Sequence, residues 1–243
     1  GTKGKQRGPA VLEPTTIEEF NKVKDSLKGA WLIGAGPRRR PTGEPTELQK
    51  ALESCDCLGR VYGSSNELVL TGGMWNIKME DLPKLTQITI RKSDMDAVKK
   101  NIADGKPVEL EFDLPQKFVK GPRHNYNVVA EIPGTEKPDE VVIISGHLDS
   151  WDGPGSEGAQ DNGTGTGVTL EAARILMQAK AKPKRTIRFI LWTGEEQGLF
   201  GSQFYVKEHK DEMSKISCVF VDDGGTNYEG GLSCTEAMKE ILA

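Results

Sequence analysis

Histidine is scarce in this chain, with three in 243 residues: His124, His147 and His209. No apolar run approaches the roughly 20 residues of a membrane-spanning helix, which excludes such a span within this stretch. Charge of neither sign dominates. The 32 basic and 36 acidic residues leave a formal net charge of -4, so no field favours nucleic acid or an anionic membrane. Arg38-Arg39-Arg40 is the one basic cluster, and its Pro/Gly-rich setting, GAGPRRRPTGEP, reads as a solvated loop. Cysteine is limited to Cys55, Cys57, Cys218 and Cys234. Cys55 and Cys57 stand too close for a Cys-x-x-Cys metal or redox motif, and Cys218, inside the apolar ISCVFV, reads as a core thiol. The opening GTKGKQRGPA has no apolar stretch of the secretory kind, and location is not read from it. Repeats and low-complexity tracts are absent. What remains is an ordinary globular composition, long enough for one large core or two smaller ones.

The first 90 or so residues read as short strands and loops. GAWLIGAG and ELVLTGG are glycine-bounded apolar strands, and QITIRK alternates. Helices are expected over 17–27 and 46–53. SDMDAVKKNIADGK reads as a further helix, with Ser93 as N-cap and Gly105 as stop. The pattern then changes. PVELEFDL and YNVVAEI alternate like half-exposed antiparallel strands. EVVIISGH, RTIRFILW and ISCVFV are continuous apolar runs, as in strands buried on both faces. A helix over 164–179, with Val168, Ala172, Ile175, Leu176 and Ala179 as its apolar face, separates the first two. A helix with Phe200 and Phe204 on one face separates the second and third, and TEAMKEILA starts another. Alternating strands and helices predict an α/β fold with a largely parallel sheet and helices on both faces.

In open sheets of this kind ligands bind beyond the carboxyl ends of the strands, and the polar exceptions gather there. EVVIISG is followed by His147 and Asp149, RFILWTG by Glu195 and Glu196, and ISCVFV by Asp222 and Asp223. Asp161 opens the intervening helix in GAQDNGTGTG. Each has an ordinary explanation alone: Asp161 as an N-cap, His147 as a satisfied core histidine, Asp222-Asp223 as turn chemistry, and the two glutamates as first-turn acids. Together they crowd four or more negative charges on one edge, with few basic residues among them. A metal cation is the economical counter-charge. One imidazole with carboxylates and no thiolate suits zinc, manganese or cobalt. The number of carboxylates exceeds the needs of one zinc and suits a pair of ions sharing a bridging carboxylate.

The motifs GHLDSWD, DNGTGTG, TGEEQGLFGS and VDDGGT, in that order, resemble the co-catalytic zinc exopeptidases of the M28 family, in its carboxypeptidase Q-like branch. The similarity is strong over 125–243. The earlier part, with ELVLTGG, DLPKLTQITIRKSD and GKPVELEFDL, resembles the protease-associated insert of the same branch. The resemblance implies two domains: a partial, smaller, mostly-β insert over 1–92, and the N-terminal part of the catalytic domain over 93–243. It makes His147 a ligand of the first zinc and Asp149 the residue orienting that imidazole. Asp161 becomes the bridging carboxylate, Glu195 the general base, Glu196 a ligand of the second zinc, and Asp223 the remaining aspartate ligand of the first. Asp222 fits the last role less well, because the motif DGGT begins at 223.

The implied activity is hydrolysis of terminal peptide bonds in dipeptides or short peptides by a water activated between two Zn2+ ions. The expected partner is a small peptide substrate, with a second copy of the chain as a further option and neither nucleic acid nor membrane. The implied location is extracytoplasmic. A glutaminyl cyclase-like acyltransferase with one zinc is the alternative enzyme, and a peptidase-like interaction domain without metals is the alternative outside catalysis. One departure stands out: the second zinc of the family takes a later histidine, and none follows Asp223 here. The chain is therefore expected to be a fragment whose sheet has an exposed apolar edge.

Overall fold

A computed structural model of the chain describes residues 1–36, 44–70, 78–225 and 233–242. The arginine triplet, residues 71–73 of ELVLTGG, and Thr226 lie outside the described residues. The chain forms two compact units, one of Gly1–Arg123 with Trp151–Glu157, the other of His124–Ser150 with Gly158–Ala243.

The first unit runs β1 (Gln6–Leu12), α1 (Ile17–Val23), β2 (Trp31–Ile33), α2 (Glu47–Ser54), β3 (Gly59–Gly63), β4 (Thr86–Ile90), α3 (Lys92–Ala103) and β5 (Glu109–Phe112). Its sheet order is β4-β3-β2-β1-β5. The first four strands are mutually parallel, and β5 pairs antiparallel with β1. That pairing joins residues 109–112 to the sheet of the first unit. Helices alternate with the parallel strands, and α1, α2 and α3 fall in the three stretches expected to be helical. Trp31, Ile33, Val61, Ile88, Met95 and Val98 form its main core. Thr46 and Gln49 close a reciprocal capping box at the start of α2, satisfying two amides that the helix leaves open.

Two local expectations are corrected here. Glu67–Leu70 forms no strand, and Leu68 and Leu70 are exposed; GRVYG forms the strand β3 instead. Ser93 does not cap α3, whose N-cap is Arg91. The Glu67 carboxylate accepts hydrogen bonds from the Ser93 amide (2.9 Å) and hydroxyl (2.7 Å), placing an acid from a distant segment at the positive helix start. Gly105 ends the helix at φ +70 as expected.

The second unit runs β6 (Val128–Ile132), β7 (Lys137–His147), α4 (Thr164–Gln178), β8 (Arg185–Trp192), α5 (Phe200–Glu208), β9 (Ile216–Val221) and α6 (Lys239–Leu242). Its sheet order is β6-β8-β7-β9. β7 lies parallel to both neighbours, and β6 is the antiparallel edge. Side chains alternate across a strand, and β7 shows both faces in use. Val141 and Ile143 pack with Ile190, Trp192 and Tyr205 of α5. On the other face Gly146 meets α4 so closely that a Cβ there would lie 2.8 Å from the Gly165 carbonyl carbon. The glycines let helix and strand approach, and their place in SGH and DNGTG is thereby explained.

The buried side of α4 is rotated from the expected one. Gly165 and Thr169 are buried and Ala172, Ala173 and Leu176 half-buried, whereas Val168 and Ile175 face solvent. Small residues occupy the contact because β7 lies so near. β9 is an edge strand with Val219, Phe220 and Val221 exposed, and Cys218 is only half-buried rather than a core thiol.

Candidate metal centre

β7 ends on His147, which is 2% exposed and held on three sides. Its Nδ1 lies 2.9 Å from the Asp149 carbonyl oxygen. Its backbone carbonyl accepts from Thr166 Oγ1 at 2.8 Å. Its Nε2 faces Asp161 Oδ1 at 2.9 Å and Asp223 Oδ1 at 3.2 Å. Donor atoms of His147, Asp161 and Asp223 all lie within 4.8 Å of one another. Glu195 Oε2 stands 4.0 Å from the same Nε2. Residues from β7, the start of α4, the β8 turn and the end of β9 thus converge on one point.

Asp149 organises the neighbouring turn. Its carboxylate accepts from the amides of Glu195 (3.0 Å) and Glu196 (3.2 Å). Its Oδ1 lies 3.8 Å from His147 Nδ1, so the carbonyl orients the imidazole and the carboxylate, engaged by two amides, holds the glutamates. Sequence reasoning missed the supports around this frame. Asn162, 2% exposed, donates to the Asp222 carbonyl and accepts from the Gly165 amide. Asn127 accepts from the Thr193 amide and donates to the Gly201 carbonyl, bracing the β8–α5 turn. The adjacency of Asn162 to Asp161 was its only sequence signal. Asp222 contributes backbone groups, its amide donating to the Ser145 carbonyl.

The electrostatics are those of acids without a cationic partner. Among the described residues, no lysine or arginine pairs with Asp149, Asp161, Glu195, Glu196 or Asp223; the ion-pair partner of Asp149, Asp161, Glu195 and Asp223 is His147. Burial disfavours charge on His147, but Asp223, the Asp149 carbonyl, Glu195 and Asp161 outweigh it and raise its pKa. Burial raises the Glu195 carboxyl, against the pull of His147 and with the repulsion of Asp223, Asp149 and Asp161. Burial and then Asp161 raise Glu196, whose Oε1 is buried with no hydrogen-bond partner. A cavity of about 270 Å³ borders His147, Glu195 and Asp223, walled by Trp192, Leu199, Tyr205 and Val206 among others. That apolar wall is the low-dielectric surface that makes ionising Glu195 costly.

The residues fit zinc. Four-coordinate zinc holds N and O donors at roughly 2.0–2.2 Å, which sets neighbouring donors about 3.3 Å apart. The separations of His147 Nε2 from Asp161 and Asp223 are close to that spacing. The donor set is one imidazole with carboxylates, and the unpartnered Glu196 oxygen is a further buried acceptor facing no donor.

Known proteins are similar to this chain over the stretch that carries the site. Residues 127–240 match peptidase family M28. Carboxypeptidase Q of Xenopus laevis is 38% identical over 162 residues, covering 66% of this chain and 34% of that protein. Human carboxypeptidase Q is 35% identical over 160 residues, 66% of this chain and 33% of its own length. The chain therefore spans about a third of the length of these relatives. The crystal structure of a peptidase M28 precursor from Shewanella amazonensis SB2B aligns over 93% of this chain and 52% of its own, with a TM-score of 0.58 at 26% identity. The match spans every residue that converges on His147, and over it the chain is similar to peptidase family M28.

Proposed function

We propose that the protein is a zinc-dependent exopeptidase that hydrolyses the terminal peptide bond of dipeptides or short peptides. The observation that carries this reading is the convergence of His147, Asp161 and Asp223 with the Glu195 carboxylate beside them. Zinc bound there supplies a Lewis acid that polarises a carbonyl and lowers the pKa of a bound water. His147, Asp161 and Asp223 would hold a first ion, and Asp161 with Glu196 a second. The rest of the chemistry falls to the chain. Glu195 takes the proton of the attacking water and delivers it to the leaving amine. Asp149 holds the Glu195-Glu196 turn by its two amide contacts. The apolar wall beside Glu195 limits competing water. The similarity to carboxypeptidase Q supports a peptide substrate, and an extracytoplasmic location belongs to the same proposal.

The test is Glu195→Gln in the whole protein. Dipeptide hydrolysis should fall by about 10²–10⁴ while zinc content measured by elemental analysis stays at the wild-type level. Retained hydrolysis would remove Glu195 as the base, and a wild-type protein that takes up no zinc would overturn the reading altogether.

A further inference from the structure

The cavity beside Glu195 lies wholly within the second unit. It reaches from Asp223, just past the end of β9, to Ile216 at the start of that strand. His147, Glu195 and Asp223 supply its charged end. Elsewhere its polar groups are already engaged. Ser202 Oγ donates to the Leu199 carbonyl at 3.2 Å, and the Tyr205 hydroxyl accepts from Arg188. No lysine or arginine lines it. The floor is fixed: Ile143, Trp192 and Tyr205 are buried. The Trp192 and Tyr205 rings meet edge to face at 5.3 Å, and Tyr205 stacks on His209 at 4.3 Å. Arg188 is in turn held by Glu131 at 2.5 Å and Glu212 at 3.1 Å. The rim is open, with Leu199, Val206 and Val219 exposed. Leu199 sits at φ +59, a left-handed conformation that glycine enters freely and leucine only against its own Cβ. The backbone of this turn favours glycine, so the leucine there is explained by what its side chain meets.

We propose that this cavity receives a bulky apolar side chain of the peptide substrate, of the leucine or phenylalanine kind, beside the scissile bond, with Leu199 and Val206 as specificity-determining residues. Small-ligand pockets combine an apolar wall with a few polar groups that fix orientation. Here those polar groups are the ones assigned to metal binding and proton transfer. Leu199 is tied to the base through the backbone, its amide donating to the Glu195 carbonyl at 2.9 Å. A substrate carbonyl placed at Glu195 therefore has its neighbouring side chain against the apolar wall. A charged side chain would lose its water there without finding a partner. An alanine would leave much of the cavity of about 270 Å³ unfilled. The inference rests on the peptidase reading for its occupant, whereas the apolar cavity does not depend on the metal.

The test uses the whole protein with zinc and two dipeptide series, X-Gly and Gly-X, in which X is alanine, leucine, phenylalanine or glutamate. In one series leucine and phenylalanine should lead alanine by about tenfold or more in kcat/KM, with glutamate last. Leu199→Gly, which suits the left-handed turn, should shrink that lead about tenfold. Val206→Lys, at an exposed position in the last turn of α5 where a cation is tolerated, should lower phenylalanine and raise glutamate relative to alanine. Phe204→Ala, an exposed apolar residue of α5 outside the cavity, should leave the lead as it is. A lead absent from the wild type, or one that survives both cavity substitutions, would overturn the inference; Val206→Lys decides alone where Leu199→Gly does not fold. A second measurement needs neither zinc nor turnover. Added to the chelator-treated protein, 3-phenylpropanamide should shift the methyl resonances of Leu199 and Val206, and propionamide at the same concentration should not. Failure to hydrolyse any dipeptide would sink the peptidase reading and leave these shifts to decide the cavity, where an equal response to the two amides would overturn it.

Discussion

Both units place a carboxylate beyond the end of a parallel strand, and they treat it in opposite ways. In the first unit Glu13 follows β1, and its Oε1 lies 2.8 Å from an Arg60 guanidinium nitrogen on β3. The two side chains are 17% and 13% exposed. In the second unit Asp149, Asp161, Glu195, Glu196 and Asp223 surround one buried histidine, with no lysine or arginine paired to them among the described residues. Glu13 meets its cation within the chain, although its Oε2 and the Arg60 Nε are buried without a hydrogen-bond partner. A group of acids that meets none holds repulsion until a cation arrives. The presence of counter-charge, more than the number of acids, separates a structural carboxylate from a functional one.

The largest effect that tests this difference is at Asp161. Asp161→Asn keeps the side-chain volume and removes one charge. Zinc affinity should fall by more than about 100-fold, beyond what loss of a supporting contact costs. The metal-free protein should at the same time melt at a higher temperature, because one repelling carboxylate is gone. Calorimetric titration and thermal melts with and without chelator measure the two. A metal-free variant that melts lower than wild type would show that the acids are already compensated within the chain, and the contrast between the units would fail.

The next effect lies at Arg60. Arg60→Met leaves Glu13 buried without its partner and should cost about 2–3 kcal/mol at pH 7, somewhat below the loss typical for a broken buried pair, because Glu13 can escape by taking a proton. Arg60→Met combined with Glu13→Leu should recover most of that loss, since a packed apolar pair replaces two charges. Urea unfolding monitored within the first unit reads both. A double variant as unstable as the single one would mean that the pair does more than neutralise itself.

Much of the second unit was legible because strand burial and polar exceptions are both local signals. EVVIISGH and RTIRFILW could only be buried strands, and the acids at their ends stood out against apolar runs. The side of α4 that is buried was not legible. Hydrophobicity pointed to Val168 and Ile175, but the closeness of Gly146 to Gly165 selects small residues for the contact. In the first unit β1 and β3 were missed. QRGPAVL and GRVYG carry glycine, arginine and proline, and become strands because the parallel partner β2, fully buried, pairs with both. Glu67 at the start of α3 was beyond local reading, since it arrives from 26 residues upstream. At the site, residue types and order were readable. Asn162 and Asn127 were not, because amides that brace backbone leave no pattern in sequence.

The smallest effect is the pH dependence of Glu13. Burial raises its pKa above the ordinary 4.5, and the attraction and hydrogen bond of Arg60 only partly offset that. A raised carboxyl pKa in the folded state means that, between 4.5 and the raised value, the native protein binds more protons than the unfolded chain. Stability then falls as pH rises through that window. The contribution is favourable at low pH and is lost once Glu13 ionises. The acids around His147 titrate in the same range, so the informative quantity is the difference between wild type and Glu13→Gln, in which they cancel. The variant keeps an oxygen for Arg60 and has no charge to desolvate. The stability of the two proteins relative to each other should be constant below pH 4.5 and should shift towards the glutamine variant as the pH rises to 7. A shift towards wild type instead would mean that Arg60 outweighs burial, and the pair would then be a net source of stability and not a neutralised cost.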